Sequence, residues 1–297
     1  MNGIPFNRVL RACDEILVAI TMKNKTLPKL IELLLTPAVF CLLIASPQAA
    51  TPKKLLVVTV TKGFPHSSIP TAEKVLADVG KTSGAFTVDY ARNEQEIAEK
   101  MTPDALKQYD GAIFANTTGD LPLPDKQAFI DWVKSGKAFV GMHSASDTFH
   151  GFRPYIEMLG GEFQAHPPGF YTVDCRNQDR RHPATRHLGA TFTVTDEIYL
   201  LTNFHRETVH GLLTLEAHPK DKTPGDYPIA WCKEFGNGRV FYTSLGHRED
   251  IWDAETPADF KRENSKEISE AYQKHILGGI QWALGLEKGD AKPQTNP

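Results

Sequence analysis

Apolar runs of strand length alternate with helical patterns through the part of the chain that follows residue 54. The predicted strands are Leu55–Val60, Phe86–Tyr90, Tyr109–Ala115 and Ala138–Met142. The predicted helices between them are Thr71–Val79, Glu94–Met101, Pro103–Gln108 and Pro124–Lys134. Apolar strands joined by helices indicate parallel pairing, right-handed crossovers and a sheet covered on both faces. The sequence therefore predicts an α/β fold with a flavodoxin-like, doubly wound sheet.

The second half of the chain is richer in strands. The strands predicted there are Phe170–Asp174, Thr191–Val194, Leu212–Leu215, Pro228–Lys233 and Arg239–Ser244. Asn237-Gly238 is typical of a hairpin turn. A last helix is predicted over residues 266–284, with Ile276, Ile280 and Trp282 buried.

The first fifty residues have the pattern of an export signal. Lysines at 23, 25 and 29 precede the apolar run Leu33–Ala45, and small residues follow it. This run is short for a membrane span, so we expect a cleaved signal peptide, no stable membrane insertion after cleavage, and a periplasmic or secreted protein. A retained signal-anchor is the alternative. The predicted organisation is an upstream extension and signal peptide over 1–50, one domain over 51–287 and a disordered polar tail over 288–297.

Charge and cysteine content narrow the possible partners. The net charge is -3, and no basic stripe or tail occurs, which excludes an electrostatic basis for nucleic-acid binding. Cys175 and Cys232 are the cysteines outside the predicted signal segment. Export would permit a disulfide between them, but a strand cysteine such as Cys232 also suits a buried free thiol, which we favour. The sequence does not define an oligomeric state.

Polar side chains follow several of these strands directly. The carboxyl ends of parallel strands meet at one edge of a sheet, where ligands bind, so these groups are expected to form one site. The candidate catalytic residues are His143, Asp147, Glu197 and His247. The candidate substrate-binding residues are His66, Ser67, Asn116, Thr117, Ser144 and His166.

Imidazole and carboxylate groups suggest acid/base chemistry or a metal centre. Histidine exchanges protons near neutral pH, and three histidines with a carboxylate suit zinc or another divalent ion. Whether such an ion binds, and which one, stays open at this point. A Ser-His-Asp triad is weakly indicated, because Gly141-Met-His-Ser-Ala145 places Ser144 one residue beyond the apex of a nucleophile turn. His187, His218 and His275 are interpreted as structural.

Several ordered motifs resemble the ThuA-like (trehalose-utilisation) family over roughly residues 54–285. They are Gly141–Thr148, Gly160–Phe163 with His166-Pro167, His182-Pro183, Asp196–Tyr199, Pro228–Trp231, Gly236–His247 and Gly278–Trp282. The resemblance implies a fold similar to class I glutamine amidotransferases and a role in sugar metabolism, often beside dehydrogenases that form 3-keto-glycosides. Those amidotransferases carry cysteine where this chain has His143, so thiolate amidotransfer is not expected. By motif position, the family's polar signature falls on His143, Asp147, His166, Glu197 and His247.

These observations lead to one main hypothesis and two alternatives. The main hypothesis is an exported enzyme that acts on a small-molecule sugar, keto-sugar or glycoside by acid/base chemistry, with possible assistance from a divalent metal ion. The first alternative is a carbohydrate-binding protein without catalysis. The aromatic side chains that could stack on sugars in it are Phe64, Phe149, Phe152, Tyr155, Tyr171 and Trp252. The second is a metal-dependent hydrolase.

Overall fold

The structure, a computed structural model, describes residues 51–256 and 260–295. The predicted signal segment over residues 1–50 lies outside the described residues. The strands are β1 (Lys53–Val58), β2 (Phe86–Ala91), β3 (Gly111–Ala115), β4 (Ala138–Met142), β5 (Glu162–Ala165), β6 (Tyr171–Asn177), β7 (Thr191–Asp196), β8 (Leu200–Thr202), β9 (His210–Ala217), β10 (Pro224–Phe235) and β11 (Gly238–Thr243). The α-helices are α1 (Ile69–Ser83), α2 (Glu94–Lys100), α3 (Pro103–Leu106), α4 (Lys126–Lys134), α5 (Arg153–Leu159), α6 (Glu249–Trp252) and α7 (Lys266–Ala283).

Nine strands form one sheet in the order β2-β1-β3-β4-β11-β10-β9-β6-β7. The first five are parallel to one another, which is the flavodoxin-like order 2-1-3-4-5 with β11 in fifth place. The remaining strands add on in antiparallel pairs. Strands β5 and β8 form a separate two-stranded ribbon. The predicted fold class, including the strand-rich second half, is confirmed.

The sheet has a buried apolar cluster on each face. Leu55 and Val57 of β1 belong to the cluster that also contains apolar residues of α1 and α7. Leu56 and Val58 belong to the opposite cluster, which contains apolar residues of α4 and α5. Because successive side chains of a strand point to opposite faces, a continuous apolar run fits a strand covered on both sides.

Local polar residues set where several helices begin. The side chains of Asn93, Thr102, Asp125 and Ser265 each precede a helix and accept a hydrogen bond from a backbone N–H in its first turn. Such caps satisfy donors that have no partner within the helix. In α1, proline lies in the first turn, where its missing N–H costs nothing.

Residues 289–294 lie against the body of the protein. Gln294 N donates to Val209 O at 3.0 Å, and the Gln294 side chain accepts from Gly211 N at 3.0 Å. The ring of His210 contacts Lys292 O at 2.9 Å. These contacts differ from the disorder expected of this polar tail, because the backbone groups of Val209 and Gly211 supply partners that composition does not reveal.

Two further observations concern the fold as a whole. Cys175 and Cys232 are both free and buried, in agreement with the favoured interpretation. Within the described residues, no helix has the length and apolar character needed to cross a membrane.

The packing of α7 against the sheet buries His275 completely. Its Nδ1 contacts Ala184 O at 2.9 Å, and its Nε2 has no hydrogen-bond partner among the described residues. Burial lowers the pKa of His275 to about 3. The folded protein therefore keeps this ring neutral, whereas the unfolded chain binds a proton below pH 6.5.

We expect His275 to make the folded state less stable in mild acid. This destabilisation is absent well above pH 6.5, where both states are neutral, and it grows as the pH falls from 6.5 towards 3. Between pH 7 and pH 5 the free energy of unfolding should fall by about 2 kcal/mol more in the wild type than in His275→Gln. Denaturant unfolding at both pH values measures this difference. His205→Gln, at an exposed histidine, should behave like the wild type; equal pH dependence in all three proteins would contradict the prediction.

Candidate functional site

Three histidines and one glutamate meet at the carboxyl edge of the sheet. One potential ligand atom from each of His66, His143, Glu197 and His247 lies within 4.8 Å of the others. His66 lies in the loop after β1, His143 directly follows β4, Glu197 directly follows β7, and His247 lies in the loop after β11. We call these four residues the His/Glu cluster.

The turn after β4 places His143 in the cluster. His143 has a φ of 49°, in the left-handed region that non-glycine residues rarely adopt. The Tyr242 hydroxyl donates to His143 O at 2.7 Å and so holds this turn. Gly141 precedes it, where a Cβ would lie 2.9 Å from both Leu159 Cδ1 and Tyr242 Cδ2. The small residue and the tyrosine together allow the strained turn.

Hydrogen bonds to Nδ1 orient the rings of His143 and His66. His143 Nδ1 lies 2.8 Å from Ser244 O, so Nδ1 carries the proton and Nε2 faces the cluster with a lone pair. Nε2 is 3.3 Å from His247 Nδ1 and 3.6 Å from Glu197 Oε2. His66 Nδ1 faces Ser144 Oγ at 3.4 Å, which leaves its Nε2 free.

The charges of the cluster differ from residue to residue. Burial raises the pKa of Glu197, but the nearby ring of His143 and the hydrogen bond with His247 outweigh that effect and hold the pKa far below its usual range. Burial, followed by repulsion from His143 and His247, lowers the pKa of His66 to about 3. Burial lowers the pKa of His247, but its hydrogen bond to Glu197 raises it more. The cluster therefore offers an ionised carboxylate beside a neutral imidazole, a donor set that divalent ions favour.

His166 extends the cluster towards solvent. Its Nδ1 lies 3.2 Å from Glu197 Oε1, while Glu197 Oε2 contacts His247 Nδ1 at 3.0 Å. The His166 side chain is 37% exposed, whereas that of His143 is 0% exposed. Glu197 thus links the buried ring of His143 and the half-buried ring of His247 to a ring that a ligand can reach.

Asp196 holds the β7 end and the β11 loop together. Its Oδ2 accepts from Gly246 N at 2.7 Å, and its Oδ1 accepts from Arg248 N at 3.2 Å. In a flat sheet the four strand spacings between β11 and β7 would separate these ends by roughly 19 Å. The sheet must therefore curl, and the β11 loop must reach across, for Glu197 to approach His143.

The predicted residues Asn116 and Thr117 support this loop arrangement. Asn116, with a φ of 57°, donates from Nδ2 to Gly246 O at 3.0 Å and to Ser68 Oγ at 2.9 Å. Thr117 Oγ1 lies 2.8 Å from Thr148 Oγ1, and both side chains are buried. Both threonines thus pair with each other within the loops around the site.

Of the serines predicted to bind substrate, Ser144 and Ser67 lie in different settings. Ser144 is buried against His66. Ser67 is exposed, and its neighbour Ser68 is the buried residue that donates to Gly246 O at 3.1 Å. No pattern in the sequence predicts that Ser68 is buried and Ser67 is exposed.

Asp147, predicted as a catalytic residue, is not part of the His/Glu cluster. Its Oδ1 lies 2.5 Å from His150 Nε2, and His150 Nδ1 lies 2.8 Å from Glu162 Oε1. Asn203 Nδ2 donates to Glu162 Oε2 at 2.7 Å. These residues connect the turn after β4 with the β5–β8 ribbon, which leads directly into His166. The catalytic role of Asp147 stays a prediction, and a role in holding that ribbon is the simpler interpretation of its contacts.

Some neighbours of the cluster were not predicted as site residues. The ring of Tyr199 is 4.4 Å from that of His143, centroid to centroid, and is buried. Its spacing of two residues from Glu197 is the signal that could have found it. Phe170, whose ring is 5.3 Å from that of His247, follows Gly169 in a loop and has no such signal.

The fold and site define an α/β protein with a flavodoxin-like sheet and a polar centre at its carboxyl edge. The sequence model of the ThuA family, described as trehalose utilisation, matches residues 54–283. The chain therefore belongs to the ThuA family. A search of curated proteins finds no match.

Solved structures agree with this assignment at the level of the fold. A ThuA-like protein from Bacteroides uniformis shares 22% identity and a TM-score of 0.60, with 80% of this chain and 94% of that chain covered. A ThuA-like protein from Parabacteroides merdae shares 19% identity and a TM-score of 0.58, with coverages of 78% and 90%. The sequence resemblance to the family is confirmed.

We expect Asp196→Asn to destabilise the protein. The amide has one acceptor oxygen, so at least one backbone N–H of the β11 loop would lose its partner inside the protein. The free energy of unfolding should fall by about 2 kcal/mol or more in denaturant titrations. The matched control is Asp174→Asn, where the carboxylate is exposed and accepts from Thr193 Oγ1. A similar small loss in both variants would contradict the role assigned to Asp196.

Proposed function

We propose that this protein is a metal-assisted acid/base enzyme that acts on a sugar, keto-sugar or glycoside. The observation that carries the proposal is the His/Glu cluster, in which four ligand atoms from four separate strand ends lie within 4.8 Å of one another. Exposed acidic groups often gather without binding a metal, but here three of the four residues are buried. Burying titratable groups destabilises a fold, so a buried cluster of them is typical of a functional site.

The ligand atoms follow from the hydrogen bonds of the rings. His143 Nε2, His66 Nε2 and Glu197 Oε2 would bind the ion, since the other ring nitrogens are occupied by Ser244 O and Ser144 Oγ. His247 would bind through Nδ1, the atom that faces Glu197. A bound divalent ion would act as a Lewis acid towards a substrate oxygen.

His166 is the group best placed to move a proton. It is more exposed than the three clustered histidines, and Glu197 orients it through the oxygen not facing His247. Next to the ketone of a 3-keto-glycoside, the C2–H bond is acidic. His166 would take that proton, and the C–H electrons would form an enolate. Return of the proton to the opposite face of C2 gives the C2 epimer; alternatively the C1–O bond breaks, a C1=C2 double bond forms, and the departing alkoxide takes the proton held by His166.

The substrate class is supported by the family rather than by the geometry. The family description is trehalose utilisation. Removing a proton next to a sugar ketone needs a group that binds the ketone oxygen and a base that takes the proton, and this centre would supply both. The basic and apolar segments before residue 50 support export as part of the same proposal, with action on sugars outside the cytoplasm.

Metal binding by the His/Glu cluster is the first test. The protein, stripped with a chelator and titrated with Zn²⁺ or Co²⁺, should bind one equivalent, and the Co²⁺ form should show visible absorption bands. Glu197→Gln should weaken binding by about tenfold or more. Asp147→Asn is the matched control, because its carboxylate contacts His150 outside the cluster, and it should bind as the wild type does. Equal weakening in both variants, or no binding by the wild type, would refute the proposed centre.

Proton abstraction by His166 is the second test. In D₂O, the metal-loaded wild type should exchange the C2 hydrogen of methyl 3-keto-α-D-glucopyranoside or eliminate its methanol, as followed by NMR. His166→Ala should slow this reaction by about a hundredfold or more while retaining the metal. His205→Ala, at an exposed histidine away from the cluster, should react at the wild-type rate. Hydrolysis of esters or amides without such exchange would instead favour the metal-dependent hydrolase.

A further inference from the structure

Two phenylalanine rings stand exposed beside the His/Glu cluster. Among the described residues, the exposed large apolar side chains are Phe64 at 61%, Phe170 at 43% and Leu286 at 42%. The first two contact the same residue, His247, and Leu286 lies elsewhere. Burying a phenylalanine side chain stabilises a fold, so two exposed rings at one place indicate a contact made with something outside the chain.

The rings border the cluster from two separate loops. The Phe64 ring lies 5.0 Å from that of His66, edge to face, and 6.2 Å from that of His247, nearly parallel to it. The Phe170 ring lies 5.3 Å from the His247 ring. His247 keeps 18% of its side chain exposed, and the more exposed His166 lies across Glu197 from it. Apolar surface and reachable polar groups therefore adjoin each other at the rim.

The ring of Phe170 packs against Arg248, which forms a buried ion pair with Asp250. The Arg248 guanidinium lies 4.8 Å from the centre of the Phe170 ring. Arg248 donates to both oxygens of Asp250 at 2.9 and 3.0 Å, and both residues are buried. A guanidinium fixed in this way stacks on one face of the ring and leaves the other for a ligand. The ring is thus positioned before any ligand arrives, which reduces the entropy lost on binding.

The other aromatic residues considered for sugar stacking do not share this exposure. Phe149, Tyr155 and Trp252 are buried in the core. Trp252 has a structural task, since its Nε1 donates to Gly246 O at 2.8 Å. Exposure next to the cluster therefore separates Phe64 from the other predicted candidates and adds Phe170, which was not predicted.

We propose that Phe64 and Phe170 form an aromatic binding surface for the ring of a pyranoside, and so determine that the substrate is a cyclic sugar. This inference rests on the proposed function, because it places the sugar beside the His/Glu cluster. A pyranose ring presents a flat face of C–H groups and a rim of hydroxyls. The negative face of a phenyl ring attracts C–H groups, while a few polar groups fix the orientation of the ligand. An open-chain polyol has the same hydroxyls but no flat face.

The test compares sugar binding by calorimetry in the full chain loaded with Zn²⁺. The probes are methyl α-D-glucopyranoside and trehalose, with the acyclic polyol D-glucitol as the probe without a ring. Phe64→Ala and Phe170→Ala should each weaken pyranoside binding by about fivefold to tenfold, and Phe64→Tyr should restore it. Both alanine variants should bind Zn²⁺ with the wild-type affinity.

Leu286→Ala is the matched control for loss of an exposed apolar side chain. Leu286 follows α7, whose last turn meets Arg239 at the start of β11, so it lies towards the opposite edge of the sheet from the cluster. This variant should bind pyranosides as the wild type does.

The outcomes separate this inference from the proposed function. If the wild type binds D-glucitol as tightly as the pyranosides, if it binds no pyranoside, or if both alanine variants keep wild-type affinity, the aromatic surface is refuted, even where Zn²⁺ binding stands. If Zn²⁺ does not bind but pyranoside affinity still depends on Phe64 and Phe170, the aromatic surface is supported and the proposed metal centre is refuted.

Discussion

The site depends on one buried carboxylate that joins two distant strand ends. Asp196, fully buried at the end of β7, accepts backbone N–H groups from the loop after β11. Burial raises the pKa of this group, while the charge of His143 and the N–H of Gly246 oppose that effect. Together with the contact between Glu197 Oε2 and His247 Nδ1, these hydrogen bonds hold Glu197 next to the histidines of the parallel half. The antiparallel extension of the sheet is therefore part of the site and not an accessory to it.

The electrostatics of the centre follow from this enforced proximity. Burial alone would leave Glu197 protonated more readily, yet the neighbouring imidazoles reverse the direction of its pKa shift. His66 has its own pKa lowered by the same crowding. One carboxylate thus stays ionised, and one imidazole stays neutral with its lone pair unprotonated. This combination suits a cation better than it suits a nucleophilic triad, in agreement with the position of Ser144, which contacts only the outer nitrogen of His66.

The fold could be predicted from sequence because its signals are local. The apolar run of β1 and the helix that follows it specify a buried parallel strand, and the same alternation continues to β4. The rule that carboxyl ends share an edge then identified His66, His143 and His247 together. Glu197 was identified by its motif, but its approach depends on sheet curvature and on Asp196, which no local pattern encodes.

The details that the sequence does not predict have the same physical origin. Asp147 follows the predicted turn as closely as Ser144 does, but its carboxylate turns to His150, a residue whose own partner is Glu162. Side-chain direction after a tight turn depends on which groups lie nearby in space. Exposure of Phe64 and Phe170 is likewise a property of the assembled surface. Sequence patterns place residues at an edge but do not tell which of them face inward.

The separation of the four cluster residues along the chain has a consequence for how this centre comes into being. His66 lies in the first strand–helix connection and His247 follows the last strand of the sheet. No fragment that lacks either end contains even the three imidazoles, so a cation cannot nucleate the fold as it does in a small zinc module. The proposed cation would instead bind after both ends of the sheet have assembled, and by linking the first and last connections it would stabilise the folded state against unfolding from either end.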